Sequence, residues 1–428
     1  MHTGKNRRVL RVGIVGIGGA AVNMLPSFDR SPLFRIAAAA DVDDDILARF
    51  AADYRDVETF RSVEAIAQSP NVDLIYIATP TVLHAAHVRA ALSGRKHVLI
   101  EKPMAVTLDD ADAMIADAVR NGVLLGVNVK HSFEPRVQAI RNFVRSGEFG
   151  RLRMINSWRY VDWLYKPRSR EELTPGWGSG LLWRQGPHQL DIVRTIAGGM
   201  IRTIRGTCQI LDPARQVPGA YSAFIDFEND VSCTVVCSGY DHFDSRAFVQ
   251  GFDGKAPLTA PDRYGRARRE LNANSADPEW EDRAAAGERY GGKREGMEAP
   301  QGTGGGAGGG GSSSGWLLNG PLIASFEKAD IRLSRNGLVI DGDDHQQEIT
   351  MPPGWDGRDG RLASFHSAVV DDMPLPADGR WGKATQEAIV ALEQSSDLRA
   401  EVTLRHQTPT VDVTKAVETE QMKRAVAN

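Results

Sequence analysis

Two parts of the sequence carry side chains that could transfer a proton. Lys102 follows a short apolar run, residues 97–100, within Glu101-Lys102-Pro103, and His188 occurs much later in the chain. A lysine at the carboxyl end of a buried parallel strand lies where cofactors and substrates bind. Burial disfavours the ammonium form, so such a lysine can accept a proton, which a nearby histidine can share or relay. We therefore predict acid–base catalysis by Lys102 and His188; a surface ion pair and a core imidazole are the alternatives.

A glycine-rich segment near the start has the spacing of a dinucleotide-binding turn. Gly16-Ile17-Gly18-Gly19-Ala20-Ala21 follows an apolar strand and opens a helix, as the G-x-G-x-x-G/A pattern requires. The first glycine permits the tight turn, the second allows backbone to approach a pyrophosphate, and the small Ala21 lets helix and strand pack closely. We predict that this segment binds the cofactor; a tight turn without a ligand is the alternative.

Asp41 favours NAD as that cofactor. It lies twenty residues beyond Ala21, after an alanine-rich strand, where a carboxylate binds the adenosine ribose hydroxyls. A 2′-phosphate there would face Asp41 and the acidic residues at 43–45, with Arg49 as the nearby cation. NADP is therefore the less favoured cofactor. We expect Glu101 to position Lys102 or the nicotinamide ribose rather than to react itself.

The elements that position these residues follow from the pattern of residues 9–128. Short apolar runs alternate there with helical patterns, which indicates β-α-β units and a parallel sheet with right-handed crossovers. The helix at 108–121 has clear end signals, with Thr107 before it and Gly122 after it. We predict an α/β fold that begins with a Rossmann domain at 1–130. Its predicted strands are 9–15, 35–40, 74–78, 97–100 and 124–127.

After residue 131 the pattern becomes typical of a mostly antiparallel open sheet. We predict a C-terminal α/β substrate domain at 131–406 and a tail at 407–428. A polar insert at about 258–315 ends in a glycine-rich run that behaves as flexible coil, and we expect it to have no catalytic role. The predicted strands are 152–163, 201–210, 221–227, 231–237 and 247–252, and the predicted helices are 135–146, 360–370 and 383–395.

The composition excludes several classes of protein. The 428 residues are 42% hydrophobic and 25% charged with a net charge of −4, so no overall field attracts nucleic acid or an anionic membrane. Three cysteines form neither a disulfide framework nor a metal site, which suggests a reducing cytoplasm. No apolar stretch approaches the roughly 20 residues of a membrane helix. We expect a soluble cytoplasmic protein without a metal.

Several of these motifs together resemble the Gfo/Idh/MocA oxidoreductase family. The resemblance implies a Rossmann domain joined to an α/β domain whose open sheet often mediates oligomerisation, so we expect a homo-oligomer. It also implies that Lys102 and His188 are the catalytic pair and that the Lys102–Pro103 bond is cis. Thr79, Pro80, His84 and Glu101 are then expected to line the cofactor site with Lys102. The motifs are the glycine-rich segment, Thr79-Pro80 followed by His84, Glu101-Lys102-Pro103, and His188-Gln-Leu-Asp191.

One position departs from the family pattern. Relatives that act on polyols usually carry an aspartate four residues before the histidine, whereas this chain has Arg184. Sugar hydroxyls gain little from a guanidinium, but a carboxylate gains a bidentate, charge-assisted pair. Asp191, one helical turn after His188, could orient the imidazole or bind substrate, or could be a charge at a helix start.

The segment before Arg184 alternates aromatic and cationic residues between positions 158 and 183. Aromatic faces and cationic forks suit a flat ring that carries carboxylates, although a packed strand beside a solvated basic loop has a similar composition. We therefore predict NAD-dependent oxidation of a carboxylated cyclic diol, with Trp163, Trp183, Arg184 and Asp191 at the substrate. The alternatives are a dehydrogenase of a sugar acid or polyol, and an NAD-binding sensor without turnover.

Overall fold

The first part of the chain forms a parallel sheet. The computed structural model describes residues 8–240, 242–245, 265–292, 320–334, 336–351 and 357–412. Within them, six strands are β1 (Leu10–Val15), β2 (Phe34–Ala40), β3 (Glu58–Phe60), β4 (Leu74–Ile77), β5 (His97–Ile100) and β6 (Leu125–Val127). Their spatial order is β3-β2-β1-β4-β5-β6, so the order reverses between β1 and β4, as at a dinucleotide-binding crevice. The predicted Rossmann arrangement is confirmed, and β3 is a strand that the pattern did not indicate.

Helices cover both faces of this sheet. They are α1 (Gly19–Arg30), α2 (Asp44–Asp53), α3 (Val63–Ala67), α4 (His84–Ser93) and α5 (Leu108–Asn121). The buried Phe28 of α1 and Phe50 of α2 pack on one face, and the apolar residues of α3, α4 and α5 pack on the other. The predicted ends of α5 are confirmed: the Thr107 hydroxyl accepts the N–H of Asp110, and Gly122 is left-handed with a φ of 65°.

The rest of the chain is built around a second sheet. Its strands within the described residues are β7 (Leu152–Tyr160), β8 (Ile201–Gln209), β9 (Ala220–Phe227), β10 (Ser232–Ser238), β11 (Leu322–Phe326), β12 (Ala329–Leu333), β13 (Gly337–Gly342), β14 (Gln346–Thr350) and β15 (Val402–Thr403). Their order is β14-β13-β12-β11-β7-β10-β9-β8-β15, with β7 and β10 parallel and the other described pairs antiparallel. The predicted mostly antiparallel sheet is confirmed, and the strand predicted at 247–252 lies outside the described residues.

The helices of the second part join it to the first sheet. They are α6 (Pro135–Ser146), α7 (Arg170–Leu173), α8 (Gly180–Ala197), α9 (Arg266–Ala273), α10 (Trp280–Ala286), α11 (Gly357–Val370) and α12 (Gly379–Leu398). Leu362 and Phe365 of α11 are buried in the core that contains Phe28, and Trp381 of α12 is buried in the core on the opposite face. The last two long helices therefore attach the second part to both faces of the Rossmann sheet.

The predicted insert is partly helical, because α9 and α10 both fall within it. Its glycine-rich run at 303–315 lies outside the described residues. At the other end of the chain, the Gln407 amide donates to the Ala384 carbonyl and to the Glu387 carboxylate, and residues beyond 412 are not described. Of the helices in the described part of the chain, none has the length and apolarity needed to cross a membrane.

Candidate active site

Lys102 lies at the carboxyl edge of the first sheet, two residues after β5 ends. The Lys102–Pro103 peptide bond is cis, as the family resemblance implied. The ammonium nitrogen Nζ donates a hydrogen bond to the backbone carbonyl of Arg184 in α8, at 3.2 Å. The lysine side chain therefore reaches from the Rossmann domain to the helix that carries His188.

Glu101 is held in place by the strands on either side of β5. Its Oε1 accepts hydrogen bonds from the Tyr76 hydroxyl of β4, at 2.6 Å, and from the Asn128 amide just beyond β6. Its Oε2 accepts the backbone N–H of Lys102 at 3.2 Å. Glu101 therefore fixes the backbone from which the lysine extends.

His84 connects two loops of the candidate cofactor site. Its Nε2 lies 2.9 Å from the Thr79 carbonyl, and its Nδ1 lies 3.0 Å from the Pro103 carbonyl and 3.2 Å from that of Met104. The side chain is buried, with 1% of its surface exposed, whereas Pro80 is exposed on the Thr79-Pro80 loop. His84 therefore braces the loop that presents Lys102, and Thr79 and Pro80 are more accessible than His84 to a cofactor that binds along this loop.

His188 lies on α8 beside a second histidine that the sequence analysis did not identify. The ring of His131, which follows β6, packs edge-on against the His188 ring with centroids 4.7 Å apart and planes at 89°. The Nδ1 atom of His188 is buried and has no hydrogen-bond partner among the described residues. Both rings retain partial exposure, so they contribute two imidazoles to the recess next to Lys102.

Burial and positive charge lower the pKa values of this group. Burial is the main reason that the pKa of Lys102 falls below its usual value; the Glu101 carboxylate opposes the change and the Arg184 guanidinium reinforces it. Burial also holds the pKa of His188 well below the usual range, with Lys102 the strongest of the nearby cations. The pKa of His131 is likewise well lowered by burial, then by Lys130. At neutral pH both imidazoles are therefore uncharged, and Lys102 releases its proton more readily than an exposed lysine.

Arg184 lies at the junction of the two domains and is already bound to an acid. Its Nη2 donates to Oε1 of Glu171 at 2.7 Å, and the same oxygen accepts the backbone N–H of Thr81 at 3.1 Å. Its Nε is buried without a hydrogen-bond partner among the described residues. The arginine therefore forms part of the wall around Lys102, and a substrate carboxylate would have to share it with Glu171.

The two tryptophans predicted at the substrate occupy different surroundings. Trp163 is buried, and the Arg168 guanidinium stacks over its ring at 4.6 Å from the centroid. Trp183 is buried too, and its indole N–H donates to the Glu393 carboxylate of α12 at 2.8 Å. These contacts tie Trp183 to α12, so its proposed contact with substrate has no support from this geometry.

Asp191 is fully buried between α8 and α12. Its Oδ1 accepts the indole N–H of Trp381, and the guanidinium of Arg194 stacks over that indole at 3.8 Å from the ring centroid. Burial raises the pKa of Asp191, and the hydrogen bond from Trp381 partly offsets that increase. Asp191 lies in the middle of α8, so the alternative of a charge at a helix start is wrong. This arrangement favours a packing role, which the sequence analysis did not predict, over contact with substrate.

The glycine-rich turn has the shape that a dinucleotide requires. Gly16 has a φ of 80°, and a Cβ atom there would lie 2.8 Å from the methyl group of Thr79. A Cβ on Gly18, by contrast, would meet nothing within 4 Å among the described residues, so this part of the backbone is open to a phosphate. Asp41 closes the turn by accepting the N–H of Ile17 at 2.7 Å and that of Asp43 at 3.1 Å.

These residues fit a dinucleotide in a defined orientation. The amides at 18–21 open α1 and would hold the pyrophosphate, while Asp41 would hold the adenosine ribose. Two nearby arginines are engaged elsewhere: Arg49 donates to the Gly291 carbonyl at 2.9 Å, and Arg61 pairs with Asp44 at 2.8 Å. The surroundings of Asp41 therefore favour NAD over a cofactor with a 2′-phosphate.

The Rossmann fold, the open glycine turn and the Lys102–His188 recess together define an oxidoreductase that uses a nicotinamide dinucleotide. Within the described residues, no cluster of histidine, cysteine, aspartate and glutamate has the arrangement of a metal site. Residues 10–129 match the oxidoreductase family model with an NAD-binding Rossmann fold, and residues 137–256 match the GFO/IDH/MocA C-terminal domain. The chain belongs to the GFO/IDH/MocA oxidoreductase family.

Three similar proteins illustrate the range of this family. The chain is 40% identical over 254 residues to a 1-carboxy-3-chloro-3,4-dihydroxycyclo hexa-1,5-diene dehydrogenase of Comamonas testosteroni, covering 59% of this chain and 64% of that relative. It is 28% identical over 256 residues to the trans-1,2-dihydrobenzene-1,2-diol dehydrogenase of Mus musculus, covering 58% of this chain and 74% of that one. A crystal structure of a protein from Bordetella bronchiseptica RB50 is 31% identical with a TM-score of 0.79, and the match covers 92% of this chain and 100% of that one.

Proposed function

We propose that this protein oxidises a carboxylated cyclic cis-dihydrodiol with NAD⁺. The cis-4,5-dihydrodiol of phthalate, which would give 4,5-dihydroxyphthalate, is the first substrate to test. The observation that carries the proposal is the presence of two basic side chains beside His188: Lys102 donates to the Arg184 carbonyl at 3.2 Å, and the buried Nε of Arg184 has no hydrogen-bond partner among the described residues. This Nε can donate to a substrate carboxylate that shares the guanidinium with Glu171, so a carboxylated substrate is favoured over a neutral polyol.

Similarity to a known dehydrogenase supports the ring chemistry. The relative from Comamonas testosteroni acts, by its name, on a cyclic diene that carries one carboxylate and two hydroxyl groups. The match spans 64% of that relative, and its substrate class supports the proposal for this chain. That compound carries one carboxylate and a chlorine, whereas the phthalate dihydrodiol carries two carboxylates.

The residues of the recess suit proton transfer from a ring hydroxyl. A nicotinamide cofactor held by the glycine-rich turn and Asp41 would supply the acceptor for a hydride from the carbon that carries this hydroxyl. The unprotonated Lys102 amine accepts the hydroxyl proton, and its lowered pKa makes this form available. His188, neutral and next to it, can take the proton onward to solvent. The resulting hydroxyketone then tautomerises to the aromatic diol, which makes the oxidation strongly favourable.

A substrate panel tests the proposal. The purified protein should oxidise the phthalate dihydrodiol or a monocarboxylated dihydrodiol and reduce NAD⁺. The kcat/KM for these substrates should be at least about a hundredfold above that for benzene cis-dihydrodiol. The uncharged diol is the matched control, since it has the same reacting carbons but lacks the carboxylates. Preferred oxidation of glucuronate would favour the sugar-acid alternative, and oxidation of myo-inositol or glucose would exclude the carboxylate requirement.

We also propose that the protein forms a homo-oligomer through the outer face of the second sheet. Met154 and Trp158 of β7 and Phe224 of β9 are 41%, 39% and 45% exposed, and the registers of β7, β10 and β9 place them on one face. Several exposed apolar side chains on one sheet face are typical of an interaction surface. Light scattering should give a multiple of the chain mass that Trp158→Glu reduces; a monomeric wild-type protein would exclude the interface.

A further inference from the structure

Part of the insert reaches the cofactor turn of the Rossmann domain. Residues 287–292, here called the strap, follow α10 and lie across the ends of α1 and α2. The Tyr290 N–H donates to the Ile17 carbonyl of the glycine-rich turn at 3.2 Å. The Arg49 guanidinium of α2 donates to the Gly291 carbonyl at 2.9 Å. The strap is therefore fastened to both the turn and the neighbouring helix.

Tyr290 is the anchor of the strap. Its ring packs against that of Phe50 with centroids 5.0 Å apart, and its hydroxyl donates to the Asp53 carboxylate. Burial raises the pKa of Tyr290, and the hydrogen bond to Asp53 raises it further, so the hydroxyl remains a donor at working pH. These contacts join residues more than two hundred positions apart and fix the strap on the cofactor side of the molecule.

Glu288 of the strap lies against the end of α1. A Cβ atom placed on Gly19 would be 3.4 Å from the Glu288 carboxylate and 3.7 Å from its carbonyl oxygen. α1 begins at Gly19, and among the described residues it has neither a side-chain cap at Gly18 nor an acidic side chain in its first turn. Helix N-termini favour negative charge, and Glu288 provides it from the insert.

We propose that Glu288 is a determinant of dinucleotide affinity, because its carboxylate lies at the end of α1 where the pyrophosphate would bind. The backbone amides that open α1 would attract the pyrophosphate, and the pyrophosphate would repel a carboxylate held beside them. Glu288 therefore opposes binding of NAD⁺, and the strap reduces the affinity for the cofactor. The inference rests on dinucleotide binding by the Rossmann domain and not on the identity of the oxidised substrate.

Titration of NAD⁺ by calorimetry, without substrate, tests this inference. Glu288→Gln should lower the Kd for NAD⁺ about fivefold, since a carboxylate at a helix N-terminus contributes energy of this order. The effect should shrink in high salt, and the affinity for inorganic pyrophosphate should rise in the same variant. Tyr290→Ala, which releases the anchor, should lower the Kd for NAD⁺ in the same direction.

The matched control is Glu279→Gln, which removes the same charge from the same insert. Glu279 is 82% exposed and lies 3.6 Å from Arg283, so this variant should leave the Kd for NAD⁺ unchanged. An equal effect of both substitutions would show that only the total charge matters and would overturn the inference. Unchanged or weaker NAD⁺ binding by Glu288→Gln would overturn it too, whereas a failed dihydrodiol assay leaves this titration unaffected.

Discussion

Lys102 is the residue on which the proposed chemistry depends most directly. Lys102→Met keeps the length and the apolar stem of the side chain but removes the amine. General acid–base catalysis contributes about 10² to 10⁴ in rate. This corresponds to roughly 2.7 to 5.5 kcal/mol in the barrier. His188 is adjacent and can accept the hydroxyl proton in some turnovers. We therefore expect a loss near the lower limit of this range, at least about a hundredfold in kcat.

The structure separates this effect from a loss of stability or of cofactor. Lys102→Met removes one hydrogen bond, to the Arg184 carbonyl, and such a bond contributes roughly 0.5–3 kcal/mol to folding. The variants should therefore be assayed well below their unfolding temperature. The Kd for NAD⁺ should change little, because the turn at 16–21 and Asp41 are untouched.

The pH dependence gives the sharper test. Lys102 must be unprotonated to accept a proton, so kcat/KM should rise with pH through its pKa, which burial lowers from 10.5. Lys102→Arg keeps the positive charge but does not deprotonate in the accessible range, so it should be as slow as Lys102→Met and lack the rising limb. The assay is NADH absorbance at saturating NAD⁺ across pH. A loss smaller than tenfold, or a rising limb that survives in Lys102→Met, would refute the role of the lysine as base.

Substitutions at three further positions test other parts of the site. Arg184→Gln should raise the KM for carboxylated substrates about tenfold or more with a smaller effect on kcat; an unchanged KM would place the arginine outside the binding recess. Asp191→Ala should cost about 1–3 kcal/mol in the free energy of unfolding, because the Trp381 indole N–H loses its acceptor, whereas Asp191→Asn should retain both stability and KM; a large KM change in Asp191→Asn would instead indicate contact with substrate. Asp41→Ser should raise the Kd for NAD⁺ about tenfold and reduce the preference over NADP⁺, measured by titration; an unchanged preference would mean that other groups select the cofactor.

The Rossmann half follows closely from the sequence because its signals are local. Strand β5 and helix α5 have the predicted bounds, since each lies between clear turn or capping residues. Lys102 is then placed by the strand it follows. The partners of Glu101 are harder to predict from the sequence, because Tyr76 and Asn128 approach it only when strands β4, β5 and β6 lie side by side.

The other half of the site depends on contacts between distant positions. Asp191 pairs with Trp381, 190 positions later, and Arg184 pairs with Glu171 across a loop, so the spacing of charges alone shows neither contact. His131 lies outside the recognised motifs and becomes notable only when its ring meets that of His188.

The insert gives the largest difference between expectation and structure. Its polar, glycine-rich composition indicates a surface extension, yet Tyr290 and Gly291 contact the cofactor turn and α2. One tyrosine side chain and two backbone groups make these contacts, which is too little to alter the composition of a segment. Composition therefore does not reveal the few residues in the described part of the insert that pack against the Rossmann domain.

Isotope transfer from a labelled substrate tests the central claim most directly. A carboxylated cis-dihydrodiol is deuterated at both hydroxyl-bearing carbons and incubated with the enzyme and NAD⁺, and both products are analysed by mass spectrometry. We expect one deuterium in the reduced cofactor, none on the hydroxylated carbons of the aromatic diol, and a transfer at least about a hundredfold slower with Lys102→Met. Unlabelled reduced cofactor, or no reduction at all by a protein that binds NAD⁺, would contradict it.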